Sequence, residues 1–266
     1  MAQVIGISGK KQSGKTSLAY YLKARLLVEN HPNYKNYEIR QDEEGGVVLY
    51  GGAYGGNDAI FVADIGNDLV EVYSFGDTLK ECCINTLGIT WEQCYGTDEQ
   101  KNTLTKYLWD NLPMSVRKKY SSKTIAKMSV PQMGFEPPDY YREKIPREGP
   151  LTAREVMQVF GTDICRDMFH DDIWVDATFK RIEKDEVKIA IIADVRFPSE
   201  VNAIKSQEDH RVIRLDRKYD TSDAHPSETS LDDYDWRELG PNAFVLDNGD
   251  MNMKKKNELV YVWLNK

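Results

Sequence analysis

Residues 3–27 constrain this chain more than any other stretch. Gln3 to Ser8 (QVIGIS) is a short apolar run, Gly9 to Thr16 reads GKKQSGKT, and Lys15 to Leu27 places Leu18, Leu22 and Leu26 four residues apart. The apolar run predicts a buried strand, and the leucine spacing predicts one face of a helix. Strand, glycine loop and helix in succession open an α/β sheet. The octapeptide fits GxxxxGK[ST] without exception. Its glycines let backbone N–H groups curl around phosphate oxygens, and the following helix N-terminus adds partial positive charge. Gly9, Ser13, Gly14, Lys15, Thr16 and Ser17 are therefore the candidate nucleotide-binding residues. Lys15 is expected to reach the β- and γ-phosphates of a bound ATP, and the Thr16 hydroxyl to ligate Mg²⁺. A guanine-reading NKxD segment is absent, which weighs against a GTPase.

The rest of the chain extends this opening into a sheet. Val187 to Val195 (VKIAIIADV) is nearly all apolar, as a parallel strand covered on both faces must be. Leu69 to Phe75, Arg211 to Leu215 and Ala243 to Leu246 supply further strands, giving five core strands with the first. Asp77 to Leu87, a segment opening at Thr152, and Met251 to Leu264 read as helices. Thr152 and Glu155 have the spacing of a capping box, and Val156, Phe160 and Ile164 mark the apolar face behind it. The fold class is α/β: a doubly wound five-stranded parallel sheet with two insertions.

The first insertion, at about 30–70, is β-rich. Val47 to Tyr50 and Ala59 to Ile65 are strand candidates there, and Gly66-Asn67 suggests a hairpin into the next strand. Gly51, Gly52, Gly55 and Gly56 open no clear helix and read as a turn. The second, at about 95–150, is mostly helical and loop, with Pro131, Pro137, Pro138, Pro146 and Pro150 toward its end.

Composition removes several classes. The chain has 266 residues, 41% hydrophobic and 29% charged, which is globular composition. That length admits one large domain or two small ones; strands of one core spread across it favour a single domain, 1–266. Lys plus Arg is 35 against 43 Asp plus Glu, a net charge of −8, so a broadly basic nucleic-acid face is not expected. Cys82, Cys83, Cys94 and Cys165 form no CxxC pair, and the four histidines complete no zinc spacing. Reduced thiols in a cytoplasmic protein are the simplest reading. No apolar run reaches 18 residues and no export signal opens the chain, so neither a membrane partner nor secretion is expected.

A second set of residues suggests what accepts the phosphate. Asp194 ends the strand IIAD and Arg196 follows it, at the carboxyl end where open α/β sheets bind ligands. Asp194 suits Mg²⁺ or its water shell, and Arg196 suits phosphate. Arg154 and Gln158 share a helix face at i and i+4. Gly161 then stands where a helix break would expose donors beside Thr162, and Trp174 offers a face for stacking a base.

Together, GKKQSGKT, YSFGDTLKE, YGTDEQKNTLT, AREVMQVFGTD with DIWV, IIADVRFPSE, HPSE and VLDNGD resemble the phage deoxynucleoside monophosphate kinases, from residue 5 to about 249. The AREVMQVFGTD and DVRFPSE segments are the specific ones. The resemblance implies a P-loop kinase-type fold and Mg²⁺-dependent transfer of the ATP γ-phosphate to a dNMP, giving dNDP. Lys80 matches a lysine near the monophosphate, and Asp98 and Lys101 match an acid and a base at the nucleotide site. Lys101 is a point charge where a guanidinium would grip with two bonds. Arg154, Gly161, Thr162 and Trp174 match substrate contacts, while Lys15, Asp194 and Arg196 fall to catalysis. Thr16 stands where an Asp occurs in some members, which favours direct metal ligation. Arg214 and Arg217 are candidates for a lid over ATP, and Asn248-Gly249 for the neighbourhood of its adenine. The partners implied are dNMP and ATP, with no nucleic acid; a homodimer is compatible. The setting would be the cytoplasm, of an infected host if the chain is phage-encoded. The alternatives are a P-loop kinase of another small metabolite, with Asp77 or Asp98 as base, and a P-loop ATPase or switch acting on a macromolecule.

Overall fold

The computed structural model describes residues 2–10, 12–42, 45–51, 58–126, 142–216, 229–249 and 251–266. Gly52, Gly55, Gly56, Pro131, Pro137, Pro138, Arg217 and the segment His225-Pro226-Ser227-Glu228 lie outside the described residues. The chain divides into two compact units, Met1–Thr78 with Trp174–Lys266, and Leu79–Ile173.

The first unit begins with β1 (Gln3–Gly9), α1 (Lys15–Asn30), β2 (Tyr37–Gln41), β3 (Val47–Gly51), β4 (Asp58–Phe61), β5 (Val70–Tyr73) and the start of α2 (Phe75–Leu87). The second continues with α3 (Trp91–Tyr95), α4 (Asp98–Lys101), β6 (Leu104–Leu108), α5 (Met114–Lys119), β7 (Thr124–Ala126), β8 (Arg142–Lys144), β9 (Pro150–Thr152) and α6 (Ala153–Gln158). The first resumes along α7 (Ile173–Asp185), then β10 (Ile189–Val195), α8 (Pro198–Lys205), β11 (His210–Asp216), β12 (Ala243–Asp247) and α9 (Met253–Leu264).

The first unit is built on a five-stranded sheet in the order β12-β11-β1-β10-β5, with every pairing parallel. Period-two alternation sends neighbouring side chains to opposite faces. On one face Ile5, Ile7, Ile191, Ile213 and Leu215 pack with Leu18, Leu22 and Leu27 of α1 and Val260 of α9. On the other, Val4, Ala190, Ile192 and Val212 pack with Val175 and Ile182 of α7 and Val201 and Ile204 of α8. Each such Val, Leu or Ile side chain contributes about 1.5–3 kcal/mol by leaving water. Helices on both faces of an all-parallel sheet are the doubly wound arrangement that the apolar runs imply.

The 30–70 excursion forms an antiparallel sheet, β2-β3-β4, whose Val47 and Leu49 join the α1 side of the core. Two local elements differ from their sequence pattern. The strand expected over Ala59 to Ile65 ends at Phe61, and Val62–Asp64 makes a 3₁₀ turn. Gly66-Asn67 closes no hairpin, because β4 and β5 belong to different sheets. Asn67 Oδ1 instead accepts from the backbone N–H groups of Leu69 and Val70, a local turn that feeds the chain into β5.

The second unit has its own small core, with Cys83, Ile89, Cys94, Trp109, Val116, Leu151, Val156 and Val159. Two antiparallel ribbons, β6 with β9 and β7 with β8, accompany its short helices. Thr152 and Glu155 cap α6 reciprocally, as their spacing predicts. Gly161 does not break the helix. α6 runs on as a π-helix over Val159–Arg166, which shifts burial to Val159, Gly161, Asp163 and Cys165 and leaves Phe160 and Ile164 partly buried. No helix among the described residues is long and apolar enough to cross a membrane.

Candidate active site

The phosphate loop joins β1 to α1 in the first unit. Gln12 and Gly14 both adopt the left-handed conformation (φ 61° and 83°), the kind of backbone that turns successive N–H groups inward. Gly14 is also the N-cap of α1, and Thr16 lies exposed in the first helical turn. Lys15 is 9% exposed, and its ammonium donates to the carbonyls of Gly9 (2.6 Å) and Lys10 (2.7 Å). Buried Ser13 Oγ and Asn248 Oδ1 have no hydrogen-bond partner among the described residues, although the Asn248 amide donates to the Ser13 carbonyl at 3.1 Å.

Neighbouring elements brace this loop. Lys10 pairs with Asp232 at 3.0 Å, and Arg214 of β11 reaches the same carboxylate at 3.3 Å and Ser8 Oγ at 3.1 Å. Arg214 is thus a buried strand residue rather than part of a lid. Ser17 Oγ accepts from Gln41 of β2 at 2.6 Å, and Gln41 accepts in turn from Asn257 of α9. The insertion therefore props the first turn of α1, a function with no signature in its sequence.

At the end of β10, Asp194 accepts from Ser74 Oγ (2.6 Å) and from the backbone N–H groups of Phe75 (2.8 Å) and Gly76 (3.3 Å). It closes the N-terminus of α2, the helix that carries Lys80. Arg196 is partly buried two residues on, its backbone N–H held by buried Glu200 at 2.6 Å. Trp174 sits partly buried in the first turn of α7, where its carbonyl accepts from Thr178.

The remaining candidates belong to the second unit. Arg154 of α6 pairs with Asp98 of α4 at 2.6 Å. The Lys80 ammonium lies 4.4 Å from the Tyr95 ring centroid. Burial raises the Cys94 thiol pKa, and the charges of Lys80 and Lys101 pull it partly back, which puts both lysines within electrostatic reach of one thiol. Lys80, Asp98, Lys101 and Arg154 thereby share a neighbourhood around α3 and α4. Gly161 packs under Leu79: a Cβ there would stand 2.6 Å from Leu79 Cδ2. Thr162 follows, partly buried, in the π-helical turn.

Two residues escape sequence reasoning. Asp163 is buried and accepts from Lys119 (2.6 Å) and the Tyr120 hydroxyl (2.8 Å), fixing the π-helical turn. Lys256 is 2% exposed and donates to the Gly14 carbonyl at 2.9 Å. A signal for Lys256 existed: Lys254, Lys255 and Lys256 open a helix, where the macrodipole disfavours cations.

With this geometry in place, comparison with known proteins adds the family. The family model for deoxynucleotide monophosphate kinase matches residues 110–256, more than half of the chain. That range includes Arg154, Gly161, Thr162, Trp174, Asp194 and Arg196; the phosphate loop, Lys80, Asp98 and Lys101 precede it. The chain is also 29% identical over 89 residues to the deoxynucleoside-5'-monophosphate kinase of Escherichia phage T5, a match spanning 30% of this chain and 35% of that relative. The chain therefore matches about a third of the relative's length, and it belongs to the deoxynucleotide monophosphate kinase family.

Proposed function

We propose that this protein transfers the γ-phosphate of ATP to a deoxynucleoside monophosphate, giving a dNDP and ADP. The observation that carries the reading is the buried Lys15 of the phosphate loop, its ammonium drawn to the Gly9 and Lys10 carbonyls. Family membership and the activity in the phage relative's name support the acceptor assignment.

On this reading, ATP phosphate oxygens replace the two carbonyls as acceptors for Lys15, and loop N–H groups with Ser13 hold the rest of the polyphosphate. The orphaned Ser13 hydroxyl fits such a ligand. Thr16 and Asp194 offer hard oxygen donors, the chemistry Mg²⁺ prefers. Bound there, Mg²⁺ would neutralise charge on the β- and γ-phosphates. Arg196 adds a fixed cation for the charge that spreads over the transferring phosphoryl group. Lys80, Lys101 and Arg154 hold the acceptor monophosphate, Arg154 being oriented by Asp98, while Thr162 contacts the nucleotide and Trp174 stacks its base. The attacking phosphate oxygen is already ionised, so no general base is needed. The substrates are small molecules and the setting is the cytoplasm, of an infected host if phage-encoded.

An ADP-release assay across the dNMPs tests the reading. Turnover with at least one dNMP, stopped by chelating Mg²⁺, is the expected result. No turnover with any dNMP at millimolar concentration overturns it. ATP hydrolysis that ignores dNMP but responds to a macromolecule would favour a P-loop ATPase instead.

A further inference from the structure

The C-terminal helix contributes a cation to the phosphate loop. We propose that Lys256 is a positioning residue for the ATP phosphates, acting through the Gly14 carbonyl. This rests on the reading that the loop binds ATP.

An ammonium removed from water is costly unless acceptors replace the lost hydration. Lys256 is 2% exposed, and Gly14 supplies a carbonyl at 2.9 Å. The same carbonyl accepts the first helical bond of α1, from the Leu18 N–H at 3.0 Å. One oxygen thus ties α9, α1 and the loop together. Gly14 leaves room for this contact, since a Cβ there would lie 2.3 Å from Lys256 Nζ.

Holding the Gly14 carbonyl fixes the one peptide plane that it shares with the Lys15 N–H. That plane aims the Lys15 N–H, which faces phosphate in a loop of this kind. The Asn248 amide does the same one residue earlier, at the Ser13 carbonyl. The Lys256 charge also raises the potential at the loop of a protein whose net charge is −8. A purely structural lysine would affect stability without distinguishing ligands by phosphate count.

Calorimetric titration of the full chain with ATP, ADP and AMP, without any dNMP, separates the two roles. Lys256→Met keeps the apolar stem and removes the charge; Lys256→Gln keeps a shorter donor. The expected result for Lys256→Met is a weakening of ATP binding on the order of tenfold, with a smaller loss for ADP and the least for AMP. The KM for dNMP should stay near the parent value, and Lys256→Gln should fall between parent and Lys256→Met. Parent-like ATP affinity in Lys256→Met overturns the proposal. So does an equal loss for all three nucleotides. If Lys256→Met does not fold, Lys256→Gln carries the same phosphate-count test. A parent protein that binds ATP but phosphorylates no dNMP refutes the acceptor assignment and leaves this inference standing. A parent that binds no ATP removes both.

Discussion

The phosphate loop and the cluster proposed to hold the acceptor recruit cations by opposite means. In the loop, Lys15 and Lys256 are 9% and 2% exposed, and both ammonium groups are held by backbone carbonyls. In the acceptor cluster, the Arg154 and Asp98 side chains are 36% and 59% exposed and hold each other. Buried groups on backbone acceptors are rigid and little screened; an exposed ion pair is worth about 0–1 kcal/mol and weakens with salt. The first arrangement is preorganised by the fold, whereas under the proposed function the second leaves an exposed Arg154 able to reach a phosphate at little cost.

The hardest test of this contrast is Lys15→Ala. Removing a preorganised cation from a transferring phosphoryl group should lower kcat by about 10²–10³-fold, read as ADP release at saturating dNMP. Loss confined to KM would place Lys15 outside the transition state. Arg154→Ala should do the reverse: about a tenfold rise in the KM for dNMP, with the KM for ATP nearly unchanged. Unchanged constants would remove Arg154 from the acceptor site. Raising the ionic strength sharpens the comparison further, because dNMP binding should weaken more than ATP binding.

The same contrast explains what the sequence disclosed. The phosphate loop has a local signature in eight consecutive residues, so strand, loop and helix were legible at once. The buried strands were legible for the same reason, since Val187 to Val195 must be covered on both faces. Gly66-Asn67 misled because hairpin and Asx turn use the same residues, and only the partner of β5 decides between them. Lys256 acts on the loop and Gln41 on the first turn of α1 from 242 and 24 residues away along the chain, and such contacts leave almost no trace in spacing. Gly161 reads in the sequence as a helix break, yet it sits in a continuous π-helical turn against Leu79, a packing constraint that spacing does not reveal.

That packing predicts a stability effect separable from binding. In Gly161→Ala the new methyl must displace Leu79, a close contact that costs about 1–3 kcal/mol in a packed core. Leu79→Ala introduced alongside should recover part of it. Urea unfolding of the single and double variants measures the coupling; a neutral Gly161→Ala would mean that the π-helical turn gives way easily.

The smallest expected effect distinguishes the units by pH. All four cysteines lie in the second unit, three of them buried. Burial pushes the Cys83 thiol from 9.0 to about 12, and it raises Cys94 and Cys165 as well. The fold favours the neutral thiol, so this contribution is complete below pH 9. It is lost as pH rises from about 9, where unfolded thiols ionise, toward the higher folded values. Tyr20, Tyr73 and Tyr261 of the first unit are also raised by burial, but from 10.0, so their losses begin about one pH unit later. Urea midpoints should therefore be flat from pH 7 to 9, then fall, with the first decline belonging to the second unit. Thiol labelling at pH 8 gives the independent check: partly exposed Cys82 should react in the native protein, and Cys83 only on unfolding. Equal labelling rates for the two would show that the core around Cys83 opens without global unfolding, and the alkaline decline would then no longer distinguish the units.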